Sequence, residues 1–219
     1  GSQIGNPAVR ATFGGRVVLT TDDILPPPPE SGVRVDPAGY FDGPGPVELE
    51  IGCGKGGFLL RRAQARPDLR LLGIEWANKY CRFTADRMTR WGVSNVRILR
   101  TDARNFVIHH LVPECLSALH VYHPDPWPKK RHHKRRLIQP DFVAAATAAL
   151  KPGARWAVQT DHEEYFQWIT EIMTRQDGLE PIGYDDPDFG IVDARAETNY
   201  EIKYLREGRR VYRLACRKR

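Results

Sequence analysis

The sequence predicts an α/β fold built on a doubly wound, mostly parallel sheet. Short apolar segments alternate with amphipathic segments along residues 47–175, and a glycine-rich turn separates the first such pair. The chain has 219 residues, of which 41% are hydrophobic, so it can bury a sizeable core without disulfides or metal ions. Strands that alternate with helices favour a parallel sheet covered on both faces.

The elements follow from local hydrophobic periodicity and from the turn residues between them. In chain order, the predicted elements are a strand at 47–51, a helix at 57–66, a strand at 69–75, a helix at 79–90, strands at 96–99 and 119–122, a helix at 142–150, a strand at 155–159 and a helix at 163–175.

Residues 1–46 differ from the rest of the chain. They are rich in Pro and Gly, including four consecutive prolines at 26–29, and show no helix or strand period. This composition predicts an extended arm with little regular structure of its own. We therefore expect a Pro/Gly-rich N-terminal arm at 1–46 and one folded domain at 47–219.

The positive charge of the chain is concentrated in two blocks. The net charge is +6, and residues 129–136 alone carry six Lys or Arg and no acid, so the remainder is balanced. Residues 203–219 hold eight Lys or Arg and a single acid, Glu207. Two basic patches on an otherwise balanced protein predict a surface that binds a polyanion.

The sequence also predicts what the protein does not use. No apolar run reaches the length of a membrane span, and the four cysteines form no close pair of the C-x-x-C kind. The histidine pairs at 109–110 and 132–133 are adjacent in sequence, which makes them poor chelates. We expect a cytoplasmic protein with no membrane partner and no metal.

The turn after the first strand indicates the type of cofactor. Residues 50–57 read Glu-Ile-Gly-Cys-Gly-Lys-Gly-Gly, which satisfies the weak G-x-G-x-x-G pattern of dinucleotide sites. An acid at the mouth of this turn would repel a pyrophosphate, but it would favour the ammonium and sulfonium of S-adenosyl-L-methionine. The pattern E-x-G-x-G-x-G is typical of class I methyltransferases and assigns Glu50, Gly52, Gly54 and Gly56 to the cofactor site.

Two further acids follow the next predicted strands. Glu75 ends the second strand, where a carboxylate can accept hydrogen bonds from both ribose hydroxyls, and Asp102 follows the third, where it can accept from the adenine amino group. A single acid at such a position is typical of an ordinary solvent-exposed surface residue. Three acids at consecutive strand ends predict one cofactor site, because ligands bind at the carboxyl ends of open α/β sheets.

The segment at 124–136 combines a rigid turn with a cationic run. It reads Pro-Asp-Pro-Trp-Pro followed by Lys-Lys-Arg-His-His-Lys-Arg-Arg. An indole can stack on an unpaired base, a carboxylate can accept from its edge, and the cations can neutralise phosphates. The alternative is a solvated basic loop, which is how most charge runs are found.

Together these motifs resemble the bacterial tRNA (guanine-N7-)-methyltransferases over roughly residues 47–219. The resembling segments are Leu-Glu-Ile-Gly-Cys-Gly-Lys-Gly at 49–56, Gly-Ile-Glu at 73–75, Pro-Asp-Pro-Trp-Pro-Lys-Lys-Arg-His at 124–132, Gln-Thr-Asp at 159–161, and Thr-Asn-Tyr-Glu at 198–201 before Arg-Val-Tyr-Arg at 210–213. His123 stands where similar proteins usually carry Phe.

The resemblance implies a class I methyltransferase (Rossmann-like) fold, S-adenosyl-L-methionine as methyl donor, and methylation of guanosine N7 in the tRNA variable loop. It places Glu50, Glu75, Asp102 and Asp125 at the donor site. We expect Asp125, which follows a predicted strand and is held between two prolines, to be the catalytic residue. The residues it implies for tRNA binding are Lys129, Arg131, Lys134, Arg135, Arg136, Asp161, Thr198, Asn199, Tyr200 and Glu201.

Two other functions remain open at this point. The Asp-Pro-Trp corner faintly resembles the [N/D]-P-P-[Y/F] corner of enzymes that methylate exocyclic amines, so an amino-group nucleic-acid methyltransferase is one alternative. A catalytically silent RNA-binding module with the same fold is the other, although the intact E-x-G-x-G-x-G pattern argues against it. Either a monomer or a homodimer is compatible with the sequence.

Overall fold

The computed structural model describes residues 12–13, 16–185, 203 and 206–219. Within these residues, seven strands form one sheet in the order β5-β4-β3-β6-β7-β9-β8. Its strands are β3 (Val47–Ile51), β4 (Arg70–Glu75), β5 (Val96–Arg100), β6 (Leu116–Tyr122), β7 (Leu150–Thr160), β8 (Leu179–Ile182) and β9 (Tyr212–Lys218). Pairings from β5 to β7 are parallel, whereas β9 runs antiparallel to both β7 and β8. The predicted fold class is confirmed.

Helices cover both faces of this sheet. The helices are α1 (Thr21–Ile24), α2 (Gly57–Ala65), α3 (Asn78–Arg90), α4 (Ala103–Asn105), α5 (Pro140–Ala149) and α6 (Glu163–Arg175). Helices α1, α2 and α3 contribute to one buried cluster, and α5, α6 and the π-helical turn Phe106–His110 contribute to the other. Among the described residues, no helix has both the length and the apolar character needed to cross a bilayer.

Strand β3 shows how side-chain alternation positions the site. Val47, Leu49 and Ile51 point into one hydrophobic cluster. Because successive side chains of a strand point to opposite faces, Glu48 and Glu50 are directed to the other side, on which α2 packs. Two acids are therefore buried beneath α2, and the second lies at the end of the strand where the glycine turn begins.

The predicted elements agree closely with the observed ones, with Val47–Ile51 and Glu163–Arg175 matching in both bounds. Strand β7 begins five residues earlier than predicted, at Leu150, and strands β8 and β9 are not predicted by the sequence pattern. A short antiparallel pair, β1 (Thr12–Phe13) and β2 (Arg16–Val17), was also missed.

The N-terminal arm is more ordered than its composition predicts. Its described part contains α1, whose N-terminus is closed by a capping box between Thr20 and Asp23, and the 3-10 turn Pro37–Tyr40. Ile24 is fully buried in the cluster under α2 and α3. Val35 forms a bridge with Leu111, so this part of the arm packs along the folded domain.

Candidate active site

A cleft of about 780 Å³ opens at the carboxyl ends of β3, β4 and β6. Its walls are formed by the glycine turn after β3, by Glu75 at the end of β4, and by the segment that follows β6. Strand β3 lies between β4 and β6, so the chain reverses its direction of progress through the sheet at this point. Open α/β sheets bind ligands at such switch points.

The glycine turn adopts a backbone that other residues would strain. Gly52 and Gly56 have φ values of 72° and 70°. A Cβ atom on Gly56 would collide with the side chain of Thr84 on α3, whose hydroxyl donates to the carbonyl of Gly54 at 2.7 Å. Gly52 and Gly54 line the cleft, and Gly56 lets α3 pack closely against the turn.

Glu50 is a buried carboxyl group at the base of this cleft. Its side chain is almost inaccessible, and its Oε2 has no hydrogen-bond partner among the described residues. Burial raises the pKa of Glu50 to about 8; Arg61 opposes this rise and the nearby Glu75 adds to it. A cationic ligand group would favour the ionised form of this acid and pair with it. The cleft thus fits an ammonium-bearing cofactor.

Glu75 connects the two loops that border the cleft. Its Oε2 accepts a hydrogen bond from the backbone N–H of Gly54 at 3.0 Å, and its Oε1 accepts one from Ala77 at 2.9 Å. The carboxylate is thus fixed at the wall of the cleft, with lone pairs left to accept hydroxyl donors. The predicted ribose contact agrees with this position and stays a prediction.

Asp102 is not brought into the cleft. It is the N-cap residue of α4, and its Oδ1 accepts a hydrogen bond from the backbone N–H of Asn105 at 2.7 Å. Its carboxylate is exposed and lies outside the residues that line the cleft. The adenine contact predicted for Asp102 stays a prediction.

Asp125 lines the opposite wall, in a turn with unusual backbone geometry. His123 and Trp127, two residues before and after it, are not glycines but have φ values of 52° and 43°. Such conformations persist only where the surroundings enforce them, and they cluster at functional sites. The N–H of His123 is held by the carbonyl of Gln159 at 2.7 Å. The turn therefore presents Asp125 and the Trp127 indole to one cleft.

His123 itself lines the cleft, and its side chain is almost inaccessible to solvent. Burial lowers its pKa to about 4; the nearby Asp161 opposes this change, whereas Arg213 and Arg209 add to it. His123 is therefore neutral near pH 7. Its Nδ1 lies 3.9 Å from Asp161 Oδ1.

Arg136 has a different role from the phosphate contact predicted for it. Its side chain is inaccessible to solvent, its Nε donates to the carbonyl of Pro126 at 2.8 Å, and its guanidinium pairs with Glu164. The guanidinium also lies over the rings of Tyr165 and Trp168, 4.7 and 5.1 Å from their centroids. No face is left for a phosphate. This corrects the prediction: Arg136 braces the Asp125 turn against α6.

The remaining cations of the run lie on the surface beside the cleft. Lys129, Arg131 and Lys134 are exposed, on and next to the 3-10 turn Lys130–Arg135. Arg135 lines the cleft with its guanidinium 5.0 Å from the Trp127 ring centroid. These side chains are positioned to meet a polyanion that approaches the Asp125 turn.

The C-terminal residues predicted to bind RNA are only partly described. Asp161 is mostly buried and forms an ion pair with Arg209. Thr198, Asn199, Tyr200 and Glu201 lie outside the described residues. Lys203, which is not among the predicted site residues, lines the cleft. Its position two residues after the Thr-Asn-Tyr-Glu segment is the signal that could have identified it.

A buried polar network lies beneath the cleft and was also missed. Arg62 donates to both oxygens of Glu48, and His120 Nε2 lies 2.9 Å from Glu48 Oε2. His120 Nδ1 in turn lies 2.8 Å from the hydroxyl of Tyr122, which lines the cleft. Burial raises the pKa of Glu48, but His120 and Arg62 outweigh it and hold the pKa at about 2. The network fixes Tyr122 in the wall of the cleft.

No group of three or more His, Cys, Asp or Glu residues in the described part of the chain is arranged to hold a metal ion. The four cysteines are buried, and burial raises the pKa of each thiol above its ordinary value. Buried thiols of high pKa are poor nucleophiles.

Comparison with known proteins identifies the family. The family model described as "Putative methyltransferase" matches residues 44–214. A tRNA (guanine-N(7)-)-methyltransferase from Geobacter metallireducens is 35% identical over 191 residues, which cover 87% of this chain and 90% of the relative. The chain belongs to the tRNA (guanine-N7-)-methyltransferase family. A relative of the same name from Bordetella pertussis is 40% identical, with 82% of this chain and 70% of the relative covered.

The fold is shared more widely than the family. The crystal structure of the 16S rRNA methyltransferase KamB superposes with a TM-score of 0.56 at 16% identity, covering 81% of this chain and 88% of KamB. The motifs of the tRNA (guanine-N7-)-methyltransferase family thus lie, in this chain, on a fold that other methyltransferases share. The family resemblance stated from the sequence is confirmed.

Proposed function

We propose that this protein transfers a methyl group from S-adenosyl-L-methionine to N7 of a guanosine in tRNA. One observation carries the proposal: the buried acid Glu50 and the turn that holds Asp125 and Trp127 face the same cleft. The first suits a cationic donor and the second suits a nucleic-acid base. The relatives named as tRNA (guanine-N(7)-)-methyltransferases support the choice of substrate.

S-Adenosyl-L-methionine supplies an electrophilic methyl group on a sulfonium. Glu50 binds its ammonium, since a buried carboxyl without a hydrogen-bond donor gains most from a cationic partner. Glu75 accepts the ribose hydroxyls while it holds the glycine turn through Gly54. Asp102 remains our proposed contact for the adenine amino group.

The acceptor chemistry requires positioning more than proton transfer. The lone pair of guanine N7 is already nucleophilic, so no general base and no covalent cysteine adduct is needed. The neutral, buried His123 and the buried thiols agree with this requirement. Trp127 stacks on the base, and the carboxylate of Asp125 stabilises the positive charge that develops on the purine.

The exposed cations Lys129, Arg131 and Lys134 bind the RNA backbone beside the cleft, together with Arg135 at its rim. We propose that Asp161 and the segment at 198–201 contact the same RNA, and that the target guanosine lies in the variable loop. A cytoplasmic location follows from tRNA as the substrate.

The test is product analysis. Unmodified tRNA is incubated with the protein and isotopically labelled donor, digested to nucleosides and analysed by mass spectrometry, with a Glu50→Gln variant as control. The proposal predicts labelled N7-methylguanosine from the wild type and much less from the variant. Label on an exocyclic amine would replace the proposal with the amino-group alternative. Failure to bind the donor in calorimetry would favour a silent RNA-binding module.

A further inference from the structure

The outer face of α3 carries exposed aromatic side chains. Of the six large hydrophobic residues that are exposed in the described part of the chain, four lie on or beside this helix: Trp76, Tyr80, Phe83 and Trp91, with 69, 37, 43 and 61% of their surface accessible. Spacings of three and four residues bring side chains to the same side of a helix. An exposed aromatic stripe of this kind, although interrupted between Phe83 and Trp91, marks an interaction surface.

Cations run beside this stripe. Helix α3 contains four Lys or Arg and a single acid, Asp86, which pairs with Arg90 at 3.0 Å. Lys79 and Arg82 are exposed and directly precede Tyr80 and Phe83 in the sequence. Arg87 extends toward the glycine turn and donates to the carbonyl of Lys55 at 3.1 Å. The face is therefore both aromatic and positively charged.

The stripe meets the active-site cleft at Tyr80. Tyr80 lines the cleft wall together with Glu75. From there the helix runs to Trp91, eleven residues further on, a distance of about 16 Å at the rise of an α-helix. A chain that leaves the cleft at Tyr80 can follow this face for several nucleotides.

We infer that the outer face of α3 binds unpaired nucleotides of the RNA that flank the methylated guanosine. The inference rests on the proposed function and extends it to a surface outside the cleft. Aromatic rings offer stacking platforms to unpaired bases, and the adjacent cations match the phosphates. A double-stranded segment would present no base faces to these rings. A second copy of this chain is a poorer occupant, because a two-fold contact would bring two positive faces together.

Binding measurements with an unmodified tRNA transcript test this inference. The variant Trp76→Ser/Phe83→Ser removes two rings that are exposed and lie outside the cleft lining. We expect its Kd for tRNA to rise at least tenfold, while its Kd for the methyl donor stays within twofold of the wild type. Phe83→Trp, which keeps a stacking surface, should retain wild-type affinity. Val33→Ser, an exposed apolar residue elsewhere on the protein, is the matched control and should change neither value.

The salt dependence separates stacking from charge. The aromatic variant should leave the slope of log K against log salt unchanged, whereas Lys79→Gln/Arg82→Gln should lower it by about 0.7 for each phosphate that these side chains neutralise in the wild type. Wild-type tRNA affinity of the aromatic variant would overturn the inference, even if N7-methylguanosine forms. Conversion of a dimer to a monomer with unchanged tRNA affinity would assign the face to self-association. Because binding is read without turnover, failure of the proposed chemistry is distinguishable from failure of this surface.

Discussion

Binding of the methyl donor should depend on pH through Glu50. Burial raises the pKa of this carboxyl to about 8, so at neutral pH it is mostly protonated before a cationic ligand arrives. If the donor binds only the ionised form, the apparent Kd exceeds the intrinsic Kd by about tenfold at pH 7 and about a hundredfold at pH 6. Donor affinity should therefore tighten about tenfold between pH 6 and pH 7.

Besides Glu75, whose charge contributes to the raised pKa of Glu50, the other groups that face Glu50 do not obscure this effect. Arg61 stays charged, and burial raises the pKa values of Cys53 and Tyr122 well above their ordinary values, so both stay neutral. His123, with a pKa of about 4, is neutral throughout this range.

Titration calorimetry between pH 6.0 and 7.5, in buffers of different ionisation enthalpy, measures both quantities. We expect release of about one proton per donor bound near pH 6. Glu50→Gln should bind more weakly at pH 7.5, with no proton release and little pH dependence. A wild-type affinity that is independent of pH, without proton release, would refute the reasoning.

The same shift makes the stability of the ligand-free protein depend on pH. The folded pKa of Glu50 is about 8 and its ordinary value is 4.5, so the folded state holds a proton that the unfolded state has lost within this window. The free energy of unfolding should therefore fall by about 1.4 kcal/mol per pH unit from this group as the pH rises between these values. Glu50→Gln should remove that slope in denaturant titrations.

Three further changes test the site. Glu75→Ala should weaken the donor by about 1.5 to 3 kcal/mol in calorimetry while tRNA affinity is nearly intact; an equal loss of both would count against the ribose contact. Arg136→Met should lower the free energy of unfolding by about 2 to 3 kcal/mol and slow methylation. It should leave the slope of log K for tRNA against log salt unchanged, and a lower slope would indicate that Arg136 contacts a phosphate. Neutralising Lys130, Arg131 and Lys134 together should lower that slope by about 0.7 to 0.9 per phosphate bound, and an unchanged slope would indicate a solvated basic loop.

The main features of the site were predictable because they depend on local sequence. Glu50 and Glu75 lie at the ends of strands with a clear apolar pattern, and Asp125 follows another such strand. The carboxyl ends of neighbouring parallel strands converge on one cleft. The capping box at Thr20 and Asp23 is also a local pattern that indicates a helix N-terminus, but the prolines and glycines around it favoured an irregular arm.

The features that were missed depend on distant partners. Arg136 ends a run of six cations, and its burial is decided by Glu164 and Trp168, which lie about thirty residues later. Strand β9 holds three cations in seven residues, and it is ordered inside the sheet by β7 and β8.

The most direct test of the central claim is the single-turnover rate of N7-methylguanosine formation at saturating tRNA and donor, compared between the wild type and Asp125→Asn. Asn is nearly isosteric and the position is exposed, so the variant should fold. We predict N7-methylguanosine from the wild type and a loss of about 2 to 4 kcal/mol of barrier stabilisation in the variant, roughly 30-fold to 1,000-fold in rate. A wild-type rate from folded Asp125→Asn would contradict the catalytic role of this carboxylate.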